Sequence, residues 1–435
     1  MELQIKRMGI NGEGIAYIDR KPVFIDGALP EEVVEAEITL DKPNYSRAAL
    51  KQVVTPSKDR VKPACGLAEK CGGCPLMCLR YPAQLKYKKE LLAEALYKYG
   101  NVRRNLIRDV RQSEYITGYR NACKMPMQMS HGELTAGMYA AGTNHYRPVR
   151  DCLIHHPDLE DARREVLKVL NAHHAKAFEE KSRYGFRNLI MRRTDDGIQV
   201  LFVTGKGKMH DDLVTDIMKI PNIVSLYHSV LLEPKGVEMI GNTVTLLAGK
   251  ETADIKMADI TLSLSPEAFF QLNTEQAEQL YTTAVSKIDP CDTIVEAYCG
   301  VGAISLLAAK KAQRIIGIES VQKAVDNAVM NAEKNNIRNV EFLCADASVG
   351  LYRAARGGLP DCLIADPPRS GMDDKMLAAI ADVLPKKIIY ISCNPATLGK
   401  NLKELKHNYH VVTVIPFDMF PHTPLIESIT VLERG

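Results

Sequence analysis

No apolar stretch in this chain of 435 residues reaches the roughly 20 residues that a bilayer-crossing helix needs. The first residues, Met1-Glu2-Leu3-Gln4, carry no apolar signal-peptide core. A membrane-spanning role is therefore not expected, and a cytoplasmic location is. The chain contains no internal repeat and no low-complexity tract, and its net charge is only +3. Nothing in it asks for an obligate protein partner. Its eleven cysteines are an odd number. That excludes a fully paired disulfide framework, and thiols in such number in a reducing compartment point to metal binding or catalysis.

What is present divides into three segments, and the length allows two or three domains with real cores. Residues 1–56 alternate short β-type runs with turns. Asn11-Gly12 and Asp26-Gly27 are hairpin signals, Val33 to Leu40 alternates like a half-buried strand, and Thr55-Pro56-Ser57 ends the pattern. A five-stranded barrel is expected, of a kind that often binds RNA. Residues 57–262 begin with a cysteine cluster and continue into an amphipathic helix from about Pro82 to Tyr99. A mixed α/β region follows, with strands at 189–191 and 198–203 and a helix at 211–220.

From 263 to 435 the pattern is strand, helix, strand. Strands are expected at 293–298, 314–319, 340–344, 361–365, 387–392, 410–417 and 427–433. Regular alternation gives a parallel sheet covered on both faces. The last two strands are joined too closely for a crossover helix, so they should pair antiparallel.

The chemistry gathers at the strand tips, where open α/β sheets bind ligands. Tyr298-Cys299-Gly300-Val301-Gly302 is a glycine turn after the first strand, but it lacks the third glycine of a dinucleotide fingerprint. Glu319 ends the second strand, about 20 residues on, and can accept from ribose hydroxyls. Asp346 ends the third and could meet an adenine amine. Acids at these tips fit S-adenosylmethionine better than NAD. The fourth strand runs into Asp366-Pro367-Pro368-Arg369, and the fifth into Ser392-Cys393-Asn394-Pro395. Carbon 5 of uracil is a poor nucleophile until a thiolate adds to carbon 6. Such a reaction needs one cysteine, a group that steadies the base and an acid–base residue that removes the carbon 5 proton. Cys393, Asp366 and Glu427 suit these roles in that order. A Pro-Cys pair after the fourth strand would mark cytosine chemistry, and it is absent.

Two further features concern RNA and metal. Between Arg60 and Lys124 the chain carries 14 Lys and Arg against 5 Asp and Glu, interleaved with six tyrosines. Cations meet phosphates and rings stack on bases, so this stretch is expected to face nucleic acid. Cys65-x5-Cys71-x2-Cys74, with Cys152 far downstream, offers four soft thiolates that suit zinc or an iron–sulfur cluster, and spacing does not decide between them. Cys78 and Cys123 are rival ligands.

Phe269-Phe270-Gln271-Leu272-Asn273, Asp366-Pro367-Pro368-Arg369, Ser392-Cys393-Asn394-Pro395 and the tail from Asp418 through Glu427 resemble the RNA uracil-5-methyltransferase family, in its RumA-like branch. The resemblance spans essentially the whole chain. It implies a small TRAM (OB-like) barrel over 1–56 and a central domain over 57–262 with a 4Fe-4S cluster on Cys65, Cys71, Cys74 and Cys152. It implies a Rossmann-like methyltransferase domain over 263–435. Gln271, Tyr298, Glu319 and Asp366 fall on the family's cofactor positions, Cys393 on its nucleophile and Glu427 on its general base. Asp346 is aligned only by strand position. The implied activity is S-adenosylmethionine-dependent methylation of uridine in 23S rRNA, with transfer RNA as the alternative substrate. A catalytically silent RNA-binding protein is the alternative from another class.

Overall fold

The computed structural model describes residues 1–140, 142–233 and 238–435. Its first six strands, Glu2–Gln4, Arg7–Met8, Gly14–Ile18, Lys21–Ile25, Val33–Asp41 and Ser46–Thr55, form one sheet. Residues 2–8 pair on two sides, Leu3 with Val34 and Arg7 with Ile15. A break at Ile5-Lys6 splits this segment and wraps it around the barrel, so six strands stand where five were expected. Alternation sends Leu3, Val23, Ile25, Val34 and Ala36 into the core.

Asn11-Gly12 turns between paired strands, with Gly12 at φ 90°. Asp26-Gly27 does not, because Lys21–Ile25 and Val33–Asp41 each pair with Ser46–Thr55 rather than with each other. The tight hairpin lies instead at Asp19-Arg20, both left-handed (φ 48° and 68°). Neither is a glycine, so the usual signature of that turn is missing from the sequence.

The middle of the chain builds a seven-stranded sheet. Its spatial order is Val244–Gly249, Ile223–Val230, Ile198–Thr204, Phe186–Arg193, Ala122–Ser130, Glu133–Tyr139 and Tyr146–Pro148. Helices Pro157–Ala172 and Asp211–Met218 bury Leu159, Val166, Leu170, Leu213 and Ile217 against it.

The C-terminal sheet also has seven strands, in the order Val340–Cys344, Ala312–Glu319, Cys291–Ala297, Cys362–Ala365, Lys387–Ser392, Glu427–Arg434 and Tyr409–Phe417. The first five are parallel, and Glu427–Arg434 runs antiparallel to both its neighbours, Lys387–Ser392 and Tyr409–Phe417, as the short connection between the last two strands dictates. Ile294-Val295, Leu363-Ile364 and Ile388 to Ile391 are fully buried, which requires cover on both faces. The strand order reverses beside Cys291–Ala297, which opens a crevice at the carboxyl edge.

Part of that cover comes from far upstream. Helix Tyr81–Gly100 sends Leu92, Ala93 and Leu96 into the same core as Val295, Leu363 and Tyr390. It lies on helix Pro395–Leu405, with Gly100 and Gly399 so close that a Cβ on Gly100 would sit 2.9 Å from the Gly399 carbonyl oxygen. Ile107 and Arg111 then bridge to Val414 and Phe417. By packing, residues 81–111 belong with the C-terminal sheet, as does the hairpin Ala253–Met257/Ile260–Leu264.

The basic stretch is not one surface. Lys88 and Tyr119 are buried, whereas Lys86, Lys98, Tyr97 and Tyr115 are exposed. Among the described residues no helix is long and apolar enough to cross a membrane.

Candidate active site

Gln271, Tyr298, Glu319, Asp366, Cys393 and Glu427 line a single cleft of about 680 Å³ at the carboxyl edge of the C-terminal sheet. The fold explains the convergence. Ala297 and Ala365 are partners on neighbouring parallel strands, so the next residues, Tyr298 and Asp366, emerge side by side. Ser392 pairs with Ser428 across antiparallel strands, which sets Cys393 beside Glu427. Tyr298 takes a left-handed backbone (φ 64°), uncommon for a bulky residue and typical of functional turns. Glu319 closes the glycine turn by accepting from the amides of Gly300 at 3.1 Å, Ser320 at 2.7 Å and Val321 at 2.9 Å.

Asp346 stands apart. It does not line the cleft, and its carboxylate caps helix Ala347–Ala355, accepting from the Ser348 amide at 3.0 Å and hydroxyl at 2.6 Å. These bonds hold its pKa below the usual range.

Burial and neighbouring charge set the protonation of Asp366, Glu427 and Cys393. Burial pushes Asp366 up to about 7. Burial, then the Asp366 charge, pushes Glu427 up to about 8. The Cys393 thiol is pushed up to about 11, first by burial and then by the charges of Glu427 and Asp366, with Arg369 pulling the other way. Two adjacent acids that resist ionising, beside a thiol, form a site built for proton traffic.

Cys393 also lines a second groove of about 550 Å³, which shares Arg369, Leu425 and Ile426 with the first. The barrel contributes Lys6 and Arg7 to it, and the 81–100 helix contributes Lys86, Tyr87, Lys98 and Tyr99. The groove also carries Glu31, Asp59, Glu90 and Glu94, so the nucleophile sits at the junction between an acid-lined cleft and a mixed-charge groove with two tyrosines.

The cysteine set lies behind this site. Cys65, Cys74 and Cys152 pack with Met77, Tyr119 and Ile154. Burial pushes Cys74 up to about 12, and the charges of Cys152, Cys71 and Cys65 add to the effect. The four thiols thus lie within electrostatic reach of one another. Among the described residues, however, no three His, Cys, Asp or Glu side chains are arranged to hold a single metal ion. Cys78 points elsewhere, with its thiol towards the Pro75 carbonyl and its packing on the barrel side with Met8 and Leu29. Cys123 is buried in the central core.

Sequence reasoning missed Tyr281 and Phe420, which also line the cleft. Tyr281 lies on the inner face of helix Thr274–Ser286, where periodicity shows burial but not what is faced. Phe420 sits within the conspicuous tail and packs against the cysteine set as well.

A family model described as tRNA (Uracil-5-)-methyltransferase matches residues 248–354 and 359–435, and a TRAM domain model matches 1–51. A protein of Enterococcus faecalis described as an uncharacterized RNA methyltransferase is 36% identical, with 100% of this chain and 97% of the relative covered. One of Halalkalibacterium halodurans with the same description is 34% identical, covering 99% of this chain and 95% of the relative. The fold is shared with the tRNA (uracil-54, C5)-methyltransferase of Pyrococcus abyssi, solved with S-adenosyl-L-homocysteine. That likeness has a TM-score of 0.80 at 23% identity and covers 99% of this chain and 100% of that one.

Proposed function

The chain belongs to the S-adenosylmethionine-dependent RNA uracil-5-methyltransferase family, and we propose that it methylates one or more uridines of 23S rRNA through an adduct between Cys393 and uracil carbon 6. The observation that carries this reading is the shared cleft of Cys393, Asp366 and Glu427, which opens at Cys393 onto a groove lined by lysines, carboxylates and two tyrosines.

In the reaction, Cys393 gives its proton to solvent and its sulfur bonds to carbon 6, which leaves an enolate across carbon 5 and the carbonyl. Arg369 favours the thiolate, and protonation of Asp366 and Glu427 removes the two charges opposing it. Asp366, whose proton burial makes harder to lose, donates in its neutral form a hydrogen bond that steadies the uracil. S-adenosylmethionine, when bound, supplies the methyl group that carbon 5 takes up. Gln271, Tyr298 and Glu319 would hold it. Glu427, once its own proton has passed to solvent, removes the carbon 5 proton as a carboxylate, the carbon–sulfur bond breaks, and the Cys393 thiolate leaves.

Four thiols within reach of one another suit a 4Fe-4S cluster on Cys65, Cys71, Cys74 and Cys152. Its contribution here is to tie the start of the lysine-rich segment to the central domain at Cys152. Transfer RNA is the second reading, favoured by the fold shared with an enzyme that acts on it.

The test has two parts. With RNA carrying 5-fluorouridine, which has no carbon 5 proton to lose, a methylated protein–RNA complex should survive denaturing gels, and Cys393→Ala should abolish it. Wild-type methylation rates in Cys393→Ala would overturn the mechanism. Mapping 5-methyluridine in rRNA and tRNA from a strain lacking the protein decides the substrate.

A further inference from the structure

The segment Asp418 to His422 forms one wall of the cleft through Phe420 and leads directly to Leu425, Ile426 and Glu427. It is not a strand or a helix. Five consecutive residues in it are nonetheless held by groups from elsewhere in the chain. The Asp418 amide donates to the Arg111 carbonyl at 2.9 Å. The Met419 carbonyl accepts from the Asn273 amide group at 3.1 Å. The Phe420 carbonyl accepts from the Lys88 ammonium at 3.0 Å, and the Pro421 carbonyl from the Tyr119 hydroxyl at 3.1 Å. Gln84 accepts from the His422 amide at 2.9 Å and donates to the carbonyls of Leu76 and Leu79. The Leu76 amide closes the set on the His422 carbonyl at 2.9 Å.

Lys88 also pairs with Asp418, and both side chains are fully buried. A buried ion pair is weak support for stability, since desolvation of two charges offsets their attraction. What it fixes is geometry. The ammonium reaches two points of the segment at once, the Asp418 carboxylate and the Phe420 carbonyl.

We infer that Lys88, Gln84 and Tyr119 are positioning residues for the reaction: they clamp the 418–422 segment so that Phe420 walls the cleft and Glu427 stands beside Cys393. The inference rests on the roles proposed for Cys393 and Glu427. None of the three clamp residues lines the cleft itself. Each acts through the loop, and the active site therefore depends on a helix over 300 residues upstream.

The experiment compares two variants of the full chain with wild type. Lys88→Met/Asp418→Leu removes both charges and leaves none unpaired, so it should fold. Tyr119→Phe removes a single hydroxyl and keeps the ring. Melting temperature, steady-state kinetics and trapped complex on ordinary uridine RNA are read for each. In the double variant, kcat should fall about ten- to a hundredfold, the scale of a misplaced catalytic group. Because Glu427 acts after addition, a denaturation-resistant complex should build up on ordinary uridine RNA in both variants. A merely structural role would lower the melting temperature and all steps together, with no trapped complex. Unchanged kcat in a folded double variant, or loss of activity without trapping in both variants, overturns the inference. If wild type forms no adduct on 5-fluorouridine RNA, the Cys393 mechanism has failed instead, and the clamp is then judged on kcat alone.

Discussion

Ser392 and Ser428 face each other across the antiparallel strands that finish the C-terminal sheet, and this pairing sets Cys393 beside Glu427. Nucleophile and base come from different strands; the register decides which residues meet, and Glu427, at the very start of its strand, is held from the other side by the 418–422 segment. A slip by one residue would turn one of the two side chains to the opposite face.

Replacing the base should expose the order of events. In Glu427→Gln, addition and methylation proceed but the carbon 5 proton stays, so ordinary uridine RNA should be trapped on the protein. Denaturing gels with labelled RNA check this. If no trapped species forms and every step slows in parallel, Glu427 orders the last strand and nothing more.

The same residue should leave a mark on stability. Its carboxyl lies near 8 in the folded protein, against 4.5 when free. The folded state therefore keeps a proton that the unfolded chain has released. The contribution is full below about pH 4.5 and is lost as pH rises through about 8. Glu427→Gln removes this loss, so its melting temperature relative to wild type should climb steadily from about pH 5 to about pH 9. A difference that stays flat with pH would place the carboxyl in an ordinary range.

Metal content should follow the four coupled thiols. Purified without oxygen, the protein should be brown and carry about four iron atoms per chain. Ser at Cys65, Cys71, Cys74 or Cys152 should lose iron. Cys78→Ser should keep it, because that thiol faces the barrel. One equivalent of zinc in a colourless protein would refute the cluster.

Charge in the second groove should govern RNA affinity. Lys86→Ala and Lys98→Ala remove exposed cations from the groove that Cys393 also lines. Each cation that pairs with a phosphate should, once removed, flatten the dependence of log affinity on log salt by about one unit. S-adenosylmethionine binding, measured by calorimetry, should not change. Unaltered slopes in both variants would mean that RNA runs elsewhere. Deleting residues 1–56 is a blunter tool, since Met8 and Leu29 cover Leu76 and Leu79.

Much of this site is legible in the sequence because the residues that carry it lie at strand ends. Strand runs such as Ile388 to Ile391 are apolar without interruption, and the first polar residue after each marks a tip. Asp366 can be read that way, and Cys393 one residue beyond Ser392, whereas Glu427 opens the last strand and is legible from the motif of the tail that precedes it. Lys88 cannot. In sequence it is one lysine among several on an amphipathic helix, and nothing local reveals that its partner is Asp418. Tyr119 is hidden for the same reason. It reads as one more ring in a basic, aromatic stretch, since local composition does not report on a long-range hydrogen bond. The Asp19-Arg20 hairpin carries no signal because its left-handed residues are not glycines.

The Lys88–Asp418 pair has a consequence for the order in which the protein can be made. The two residues are 330 positions apart. At ribosomal rates of about 5–20 residues per second, some tens of seconds separate their appearance. Until the strands from Cys291 onward and helix Pro395–Leu405 are made, the helix that carries Lys88 has no sheet to lie on, and its apolar face with Leu92 and Leu96 stays uncovered. The active-site wall is among the last things to set, only after nearly the whole chain has left the ribosome. A chain cut short before Asp418 keeps Cys393 but has neither the clamp nor its base. Truncated products would therefore be unable to complete the reaction on any RNA they meet.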